Sequence, residues 1–244
     1  ALYRAVADGS TPVRHHDRTN AMINVGWLYE YRIGDRRAAY QANRELELFT
    51  DDPVVRARAR TEQAWVMFEM VRYDDMGTWD DVRRLCAGTY GDTDPNGSDE
   101  MLKWRAVARL IHLETYRYEN RMEELARYAR AFVDEYGQDE TRRREVSMAL
   151  TWLGIAETSL SRFDDARAAF ETIIEMQIQS WENFGGENMD LMAASWLAHI
   201  AEVERDSAAM STWAAYLRDH HPDTEEARFA TSAAAAIQAV RAEE

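Results

Sequence analysis

Five short turn signals at a nearly constant spacing constrain this chain more than any other feature. Gly34-Asp35, Gly77-Thr78, Asn120-Arg121, Ser161-Arg162 and Arg205-Asp206 each separate two long amphipathic runs. Their second members stand at 35, 78, 121, 162 and 206, so the steps are 43, 43, 41 and 44 residues. A step held this evenly is the mark of stacked supersecondary repeats. One such repeat has more apolar surface than it can bury alone, so neighbours must stack and share a core. Four residues after each second member stand Ala39, Val82, Leu125, Ala166 and Met210, all apolar. Eight residues after stand Asn43, Cys86, Ala129, Phe170 and Ala214, of which only Asn43 is ill suited to burial. The second helices of the repeats are therefore expected to share a face.

The chain between the turns is helical in composition. Ala, Leu, Glu, Arg and Met are abundant, only four prolines and eleven glycines interrupt 244 residues, and alternating Val/Ile/Thr runs are missing. The fold class is all-α. Breakers at 50–53 (TDDP), 87–100 (AGTYGDTDPNGSDE), 135–140 (EYGQDE) and 180–188 (SWENFGGEN) bound the repeats. They give repeats at about 12–50, 54–90, 100–137, 140–180 and 187–222 in a single domain spanning 1–244. A closing helix follows over 223–242, with Asp223 or Thr224 as its N-cap. The second helix of the second repeat is expected to stop near Cys86 and leave 87–100 as a long loop. The opening ALYRAVADG reads as the tail of a helix whose partner lies upstream, in a longer parent chain.

Charge narrows the partners. Acidic residues outnumber basic ones 44 to 29, a formal charge of −15. A field of that sign repels phosphate backbones and anionic headgroups, which argues against nucleic acid and membrane surfaces. The one basic cluster, Arg142-Arg143-Arg144, is flanked by Asp139, Glu140 and Glu145 and reads as a solvated helix start. No apolar run approaches the length of a membrane span, so no membrane insertion is expected. Lys103 is the one lysine in the chain, a bias of GC-rich bacterial genomes. Cys86 has no partner for an intramolecular disulfide, which fits the cytoplasm and leaves the periplasm open.

Chemistry-bearing motifs are sparse. DDMGTWDD, residues 74–81, holds four aspartates that could ligate a divalent metal, but they flank a turn and read better as caps of the incoming helix. The histidines lack the spacing of a helical zinc site, and His199 with Glu202 and His112 near Glu114 read as polar packing pairs. Cys86 sits at an apolar position as a small buried hydrophobe. No phosphate loop or nucleophile elbow occurs, so no catalytic residue, metal or cofactor is assigned. Trp152 and Trp196 share a register, which suggests packing between repeats. Trp27, Trp65 and Trp104 on first helices read as core fillers, with exposed partner anchors as the alternative.

The fourth and fifth repeats resemble tetratricopeptide repeats. The family's small and large positions fall on Leu153, Gly154, Phe163, Ala166, Phe170 and Ile173, then on Leu197, Ala198, Met210, Ala214, Leu217 and Pro222. The first three repeats put Trp27, Met70 and Leu113 at the small first-helix position, although Gly26 stands one residue away and Trp79 and Met122 keep the apolar turn residue. The period of about 43 also exceeds the family's 34. The stretch from Tyr128 to Gly154 is similar to divergent repeats of bacterial envelope-assembly lipoproteins, long periods occur in regulator sensor domains, and HEAT-like stacking is the alternative fold.

The resemblance implies an α-solenoid of about five antiparallel helical hairpins, a right-handed superhelix whose first helices line a concave groove. By the same alignment the groove residues are Asn24, Leu28 and Tyr31; Met67, Val71 and Asp74; Leu110, Glu114 and Arg117; Thr151, Ile155 and Thr158; and Ser195, His199 and Glu202. Leu28, Val71, Leu110 and Ile155 would supply contact area, Tyr31, Arg117, His199 and Glu202 would orient a partner, and Glu114 and Ser195 would line the groove beside them. The implied function is a non-catalytic scaffold or adaptor for a protein or peptide. The family's lysine and asparagine clamp for acidic C-terminal peptides is not reproduced. Two rival readings are a ligand-sensing domain of a larger regulator and an all-α enzyme with a closed pocket at residues 74–81.

Overall fold

A computed structural model describes residues 2–7, 9, 14–94, 96–176 and 188–243. Those residues form twelve α-helices and no strand. They are α1 (Leu2–Ala7), α2 (His15–Leu28), α3 (Arg36–Phe49), α4 (Pro53–Asp74), α5 (Trp79–Asp92), α6 (Asp99–Tyr118), α7 (Met122–Tyr136), α8 (Arg143–Ser159), α9 (Phe163–Met176), α10 (Met189–Val203), α11 (Ser207–His220) and α12 (Glu225–Glu243). A π-helical turn, Tyr29–Ile33, extends α2, and a 3-10 turn, Glu140–Arg142, leads into α8. The breaker expected over 180–188 lies outside the described residues except for Asn188.

The turns fall where the spacing places them, and they share one backbone device. Gly34, Gly77, Asn120, Ser161 and Arg205, the first members of the five turn pairs, all have positive φ. After α8 and α10 the device is a Schellman end: Ser161 and Arg205 donate back to Thr158 and Glu202, while Arg162 and Asp206 donate to Glu157 and Ala201. The next helix is then capped at once. Asp35, Thr78 and Asp206 accept from first-turn amides, and Thr78 with Asp81 closes a reciprocal capping box. Of the aspartates of residues 74–81, Asp81 caps α5, Asp74 pairs with Arg36, Asp80 pairs with Arg83, and Asp75 takes a left-handed conformation.

Burial follows the same spacing. Ala39, Val82, Leu125, Ala166 and Met210 are all 0% exposed, and Cys86, Ala129 and Phe170 are equally enclosed. Asn43, expected to be the exception, is buried too. Its carboxamide fills the space in front of Gly26, where a Cβ would stand 2.6 Å from Oδ1. Between α8 and α9 the counterpart is Gly154 against Phe170, where a Cβ would meet the ring at 2.5 Å. Both contacts pair a first-helix glycine with the residue eight after the turn. Gly26 lies nine residues before Asp35 and Gly154 eight before Arg162. The π-helical turn absorbs the difference, since it inserts one residue without ending the helix.

Contacts divide the chain into two compact units, residues 1–119 and 120–244, and the boundary falls at the turn of the third expected repeat. In unit 1 each helix packs on the next, and α4 also packs on α6. In unit 2 the same order holds for α7 to α12, with α10 also touching α8 and α12. Each unit carries one copy of the same ionic latch. Arg83 bonds Asp80 and Glu119 in unit 1, and Arg167 bonds Asp164 and Glu204 in unit 2. In unit 2 the Glu157 carboxylate is fully enclosed between Arg130 at 2.6 Å and Arg162 at 3.5 Å.

Two expectations are corrected. α5 does not stop near Cys86 but runs to Asp92 through Gly88 and Gly91. Tertiary contacts override the weak helix propensity there: Arg60 from α4 donates to the Gly88 carbonyl at 3.0 Å and pairs with Asp92, and Arg105 from α6 donates to the carbonyls of Tyr90 and Thr93 at 2.9 and 3.3 Å. Of the expected loop, the described residues 93, 94 and 96–98 lie outside both helices. Arg142 is not solvated but 6% exposed, because the 3-10 turn directs it inward ahead of α8.

Candidate functional site

The positions predicted for the groove can be located by counting back from the left-handed residue that ends each helix before a turn. Three and six residues before Asn120, Ser161 and Arg205 stand Arg117 and Glu114, Thr158 and Ile155, and Glu202 and His199, as the alignment had them. Two first helices differ. α4 ends at left-handed Asp75, two residues ahead of Gly77, so the equivalent residues are Trp65, Glu69 and Arg72 rather than Met67, Val71 and Asp74. Val71 is instead half-buried against the cluster around Phe68 and Cys86. In α2 the π-turn moves the position from Leu28 to Trp27, which is 44% exposed while Leu28 is half-buried. Leu110 is corrected as well: it is 5% exposed and belongs to the core of unit 1.

The residues so aligned meet on one face of unit 1. Ile23, Trp27, Glu30 and Tyr31 from α2 and its π-turn border a narrow cleft with Asn43 and Leu46 of α3 and Arg58, Ala59 and Glu62 of α4. About 20 Å³ of it is open to a water-sized sphere, room for about one molecule. Trp27 and Tyr31 stack obliquely at 5.9 Å and both reach solvent. Along α4 the stripe Arg58, Glu62, Trp65, Glu69, Arg72 continues the face at helical spacing. Arg58 sits 5.4 Å over Trp104 of α6, whose indole N–H is buried with no acceptor among the described residues. Arg72 and Arg117 both lie over the Tyr118 ring, at 4.8 and 4.6 Å.

Electrostatics single out Glu30. Burial, then the Glu62 carboxylate, raise its pKa from 4.5 to about 7, and hydrogen bonds involving Tyr31 and Trp65 offset this only in part. Its Oε1 is enclosed with no hydrogen-bond partner among the described residues. Burial also raises the Glu62 pKa, although Arg58 stands 3.9 Å away and opposes the shift. Burial and the two carboxylates push the Tyr31 phenol up. Glu69 is satisfied separately by Arg36 at 3.1 Å. The cleft therefore holds two carboxyls with insufficient cationic compensation, walled by exposed aromatic rings.

Other predicted residues are bound up internally or lie in unit 2. Glu114 and Arg117 pair with each other at 2.7 Å. His112 is not a partner of Glu114; its two nitrogens meet the hydroxyls of Tyr90 and Tyr116 at 2.8 and 3.1 Å. Burial lowers its pKa to about 4. In unit 2 Ile155 is half-buried, Ser195 donates to the Leu191 carbonyl at 2.7 Å, and His199 stands 3.8 Å from Glu202. Among the described residues no group of three His, Cys, Asp or Glu side chains is placed to hold a metal. Cys86 is enclosed and its thiol pKa pushed up by burial, so it is poorly placed as a nucleophile. No described helix is long and apolar enough to cross a membrane.

The fold has a solved counterpart. The chain is similar to BtubC (BKLC) from P. vanneervenii, with a TM-score of 0.57 over all of this chain and 88% of that one. The two are 16% identical, so the likeness is one of fold. No family model matches the sequence, and no curated protein matches it.

Sequence reasoning missed Glu30 and Glu62 and favoured Trp27 as a core filler, which its 44% exposure corrects. The signal was present in part: WLYEY, residues 27–31, sets a carboxylate among aromatics immediately before a turn, and Arg58, Glu62, Trp65 and Glu69 form an i, i+4, i+7, i+11 stripe on α4. That the two stripes face each other follows only from packing.

Proposed function

We propose that this chain is a non-catalytic scaffold that holds a segment of a protein partner on the face formed by α2, α4 and α6 of unit 1. The observation that carries this reading is the Glu30 carboxyl, whose enclosed Oε1 meets no donor among the described residues, beside Glu62 and walled by exposed Trp27 and Tyr31. A buried acceptor without a donor costs about 1–3 kcal/mol, which an incoming guanidinium or ammonium would recover. Aromatic walls add cation–π attraction of about 0.5–2 kcal/mol. A lysine or arginine side chain on a partner segment meets both demands, and the acidic field of the chain steers it in.

The test is affinity capture from a lysate of the source organism on the immobilised chain, with a Trp27→Ala/Tyr31→Ala variant as control. Both side chains are exposed, so helical content should be unchanged. A protein retained by the wild type and lost from the variant, and displaced by free arginine, supports the reading. Identical proteins on both columns would overturn it.

A further inference from the structure

A second surface, on unit 2, has a partner chemistry of its own. α10, α11 and the first turns of α12 border an open groove of about 220 Å³. Ala198, Leu217 and Ala230 form its apolar floor, Phe229 one wall, and Glu225 and Glu226 its rim, with Ser195 at the edge. The Ser195 hydroxyl is spent on the Leu191 carbonyl, so the floor presents little polarity. Phe229 is 58% exposed. The core does not need it, because α12 is anchored by its alanine stripe, Ala227, Ala230 and Ala234, packed on Met210, Ala214 and Leu217. A phenyl left in water at the mouth of an apolar groove is surface available to a partner.

The rim states the charge of that partner. Glu225 and Glu226 form no ion pair with a described residue, and the groove lining contains no cation. Glu202, one helical turn beyond Ala198 on α10, extends the acidic edge. The groove is smaller than the roughly 300–1,000 Å³ of small-molecule sites, and suits one or two apolar side chains. A second copy of this chain fits poorly, since each carries a net charge of −15.

We propose that this groove docks a cationic amphipathic helix of a protein partner. A Leu- or Met-sized side chain packs against the exposed Phe229 ring, and flanking lysines or arginines meet Glu225 and Glu226. The docking mode is helix-in-groove, with apolar contact supplying affinity and the charges supplying orientation. The surface is separate from the unit 1 face, so either proposal can fail alone.

The probe is a short fluorescein-labelled helical peptide with leucines along one face and lysines beside them, titrated with the full chain by anisotropy. Two comparison peptides replace the lysines by glutamates or the leucines by serines. In a Trp27→Ala/Tyr31→Ala background, which removes the unit 1 face, saturable binding of the basic peptide alone is expected, weakened roughly tenfold or more by adding Phe229→Ala or Glu225→Gln/Glu226→Gln, and unchanged by adding Leu48→Ala, an exposed site in neither surface. All the substituted side chains are exposed, and circular dichroism should show intact folds. No saturable binding, equal binding of either comparison peptide, or an unchanged affinity for Phe229→Ala would overturn the proposal. Binding seen with the wild type and lost in the Trp27→Ala/Tyr31→Ala background would overturn it too, and would place the peptide on unit 1.

Discussion

Single atoms decide much of this structure. At Gly154 an added methyl would stand 2.5 Å from the Phe170 ring, in a position with no solvent to yield into. Gly154→Ala is therefore expected to destabilise unit 2 by about 1–3 kcal/mol. Adding Phe170→Leu should restore part of the loss, a non-additivity that urea titration of the double mutant would measure. Glu157 is the other sharp case, a carboxylate with no exposure held by Arg130 and Arg162. Glu157→Ala removes the shared partner of two half-exposed guanidiniums that keep Asp165 and Glu123, and is expected to cost about 1–3 kcal/mol by urea denaturation. Gly154 was legible as a small packing position because Phe170 lies at a fixed offset, whereas nothing local to Glu157 announces that arginines 27 residues before and five after will converge on it.

Helix ends and latches belong to the scale of elements. Ser161 and Arg205 occupy a left-handed position that glycine tolerates better than any other residue. Ser161→Gly and Arg205→Gly should each stabilise by about 0.5–1 kcal/mol, read as a rise in melting temperature. At Gly34 the reverse change is the informative one. No atom lies within 4 Å of its missing Cβ, so the loss from Gly34→Ala, about 1–2 kcal/mol, measures backbone strain alone. The recurring latch was in plain view as WDDVRR at 79–84 and FDDARA at 163–168, yet its glutamates, Glu119 and Glu204, lie more than 30 residues away. Proximity of that kind comes from stacking one element on the next.

Unit 1 as a whole balances two opposed titrations. Glu30 has a folded pKa of about 7 against 4.5, so the fold holds its proton more tightly and loses stability as pH rises from about 4.5 to 7. His112 has a folded pKa of about 4 against 6.5, so the fold resists protonation and loses stability as pH falls from about 6.5 to 4. Each shift is worth on the order of 1–3 kcal/mol once solvent screening is allowed for, and the signs oppose. Between about pH 4.5 and 6.5 these two contributions nearly cancel. Glu30→Gln removes one of them: the variant should be more stable than wild type at pH 8, and should lose stability more steeply than wild type on acidification below pH 6.5. Guanidinium melts at several pH values would show this, and parallel profiles for the two proteins would refute the burial of Glu30.

What the sequence determined by itself is whatever a short stretch of chain settles locally. Helix formers without competing strand patterns made the chain all-α. Turn residues at 34, 77, 120, 161 and 205 set where the helices break, and apolar positions four and eight beyond each turn set which faces are buried. Tertiary structure alone decided which face stays open. One residue added in the π-turn before Gly34, and two between Asp75 and Thr78, leave the spacing of turns intact but rotate the preceding helix faces by about 100° per residue. That rotation exchanges Leu28 for Trp27 and Val71 for Glu69. It also sets Glu30 against Glu62, 32 residues away in the chain, and so builds the acidic aromatic cleft on which the proposed function rests.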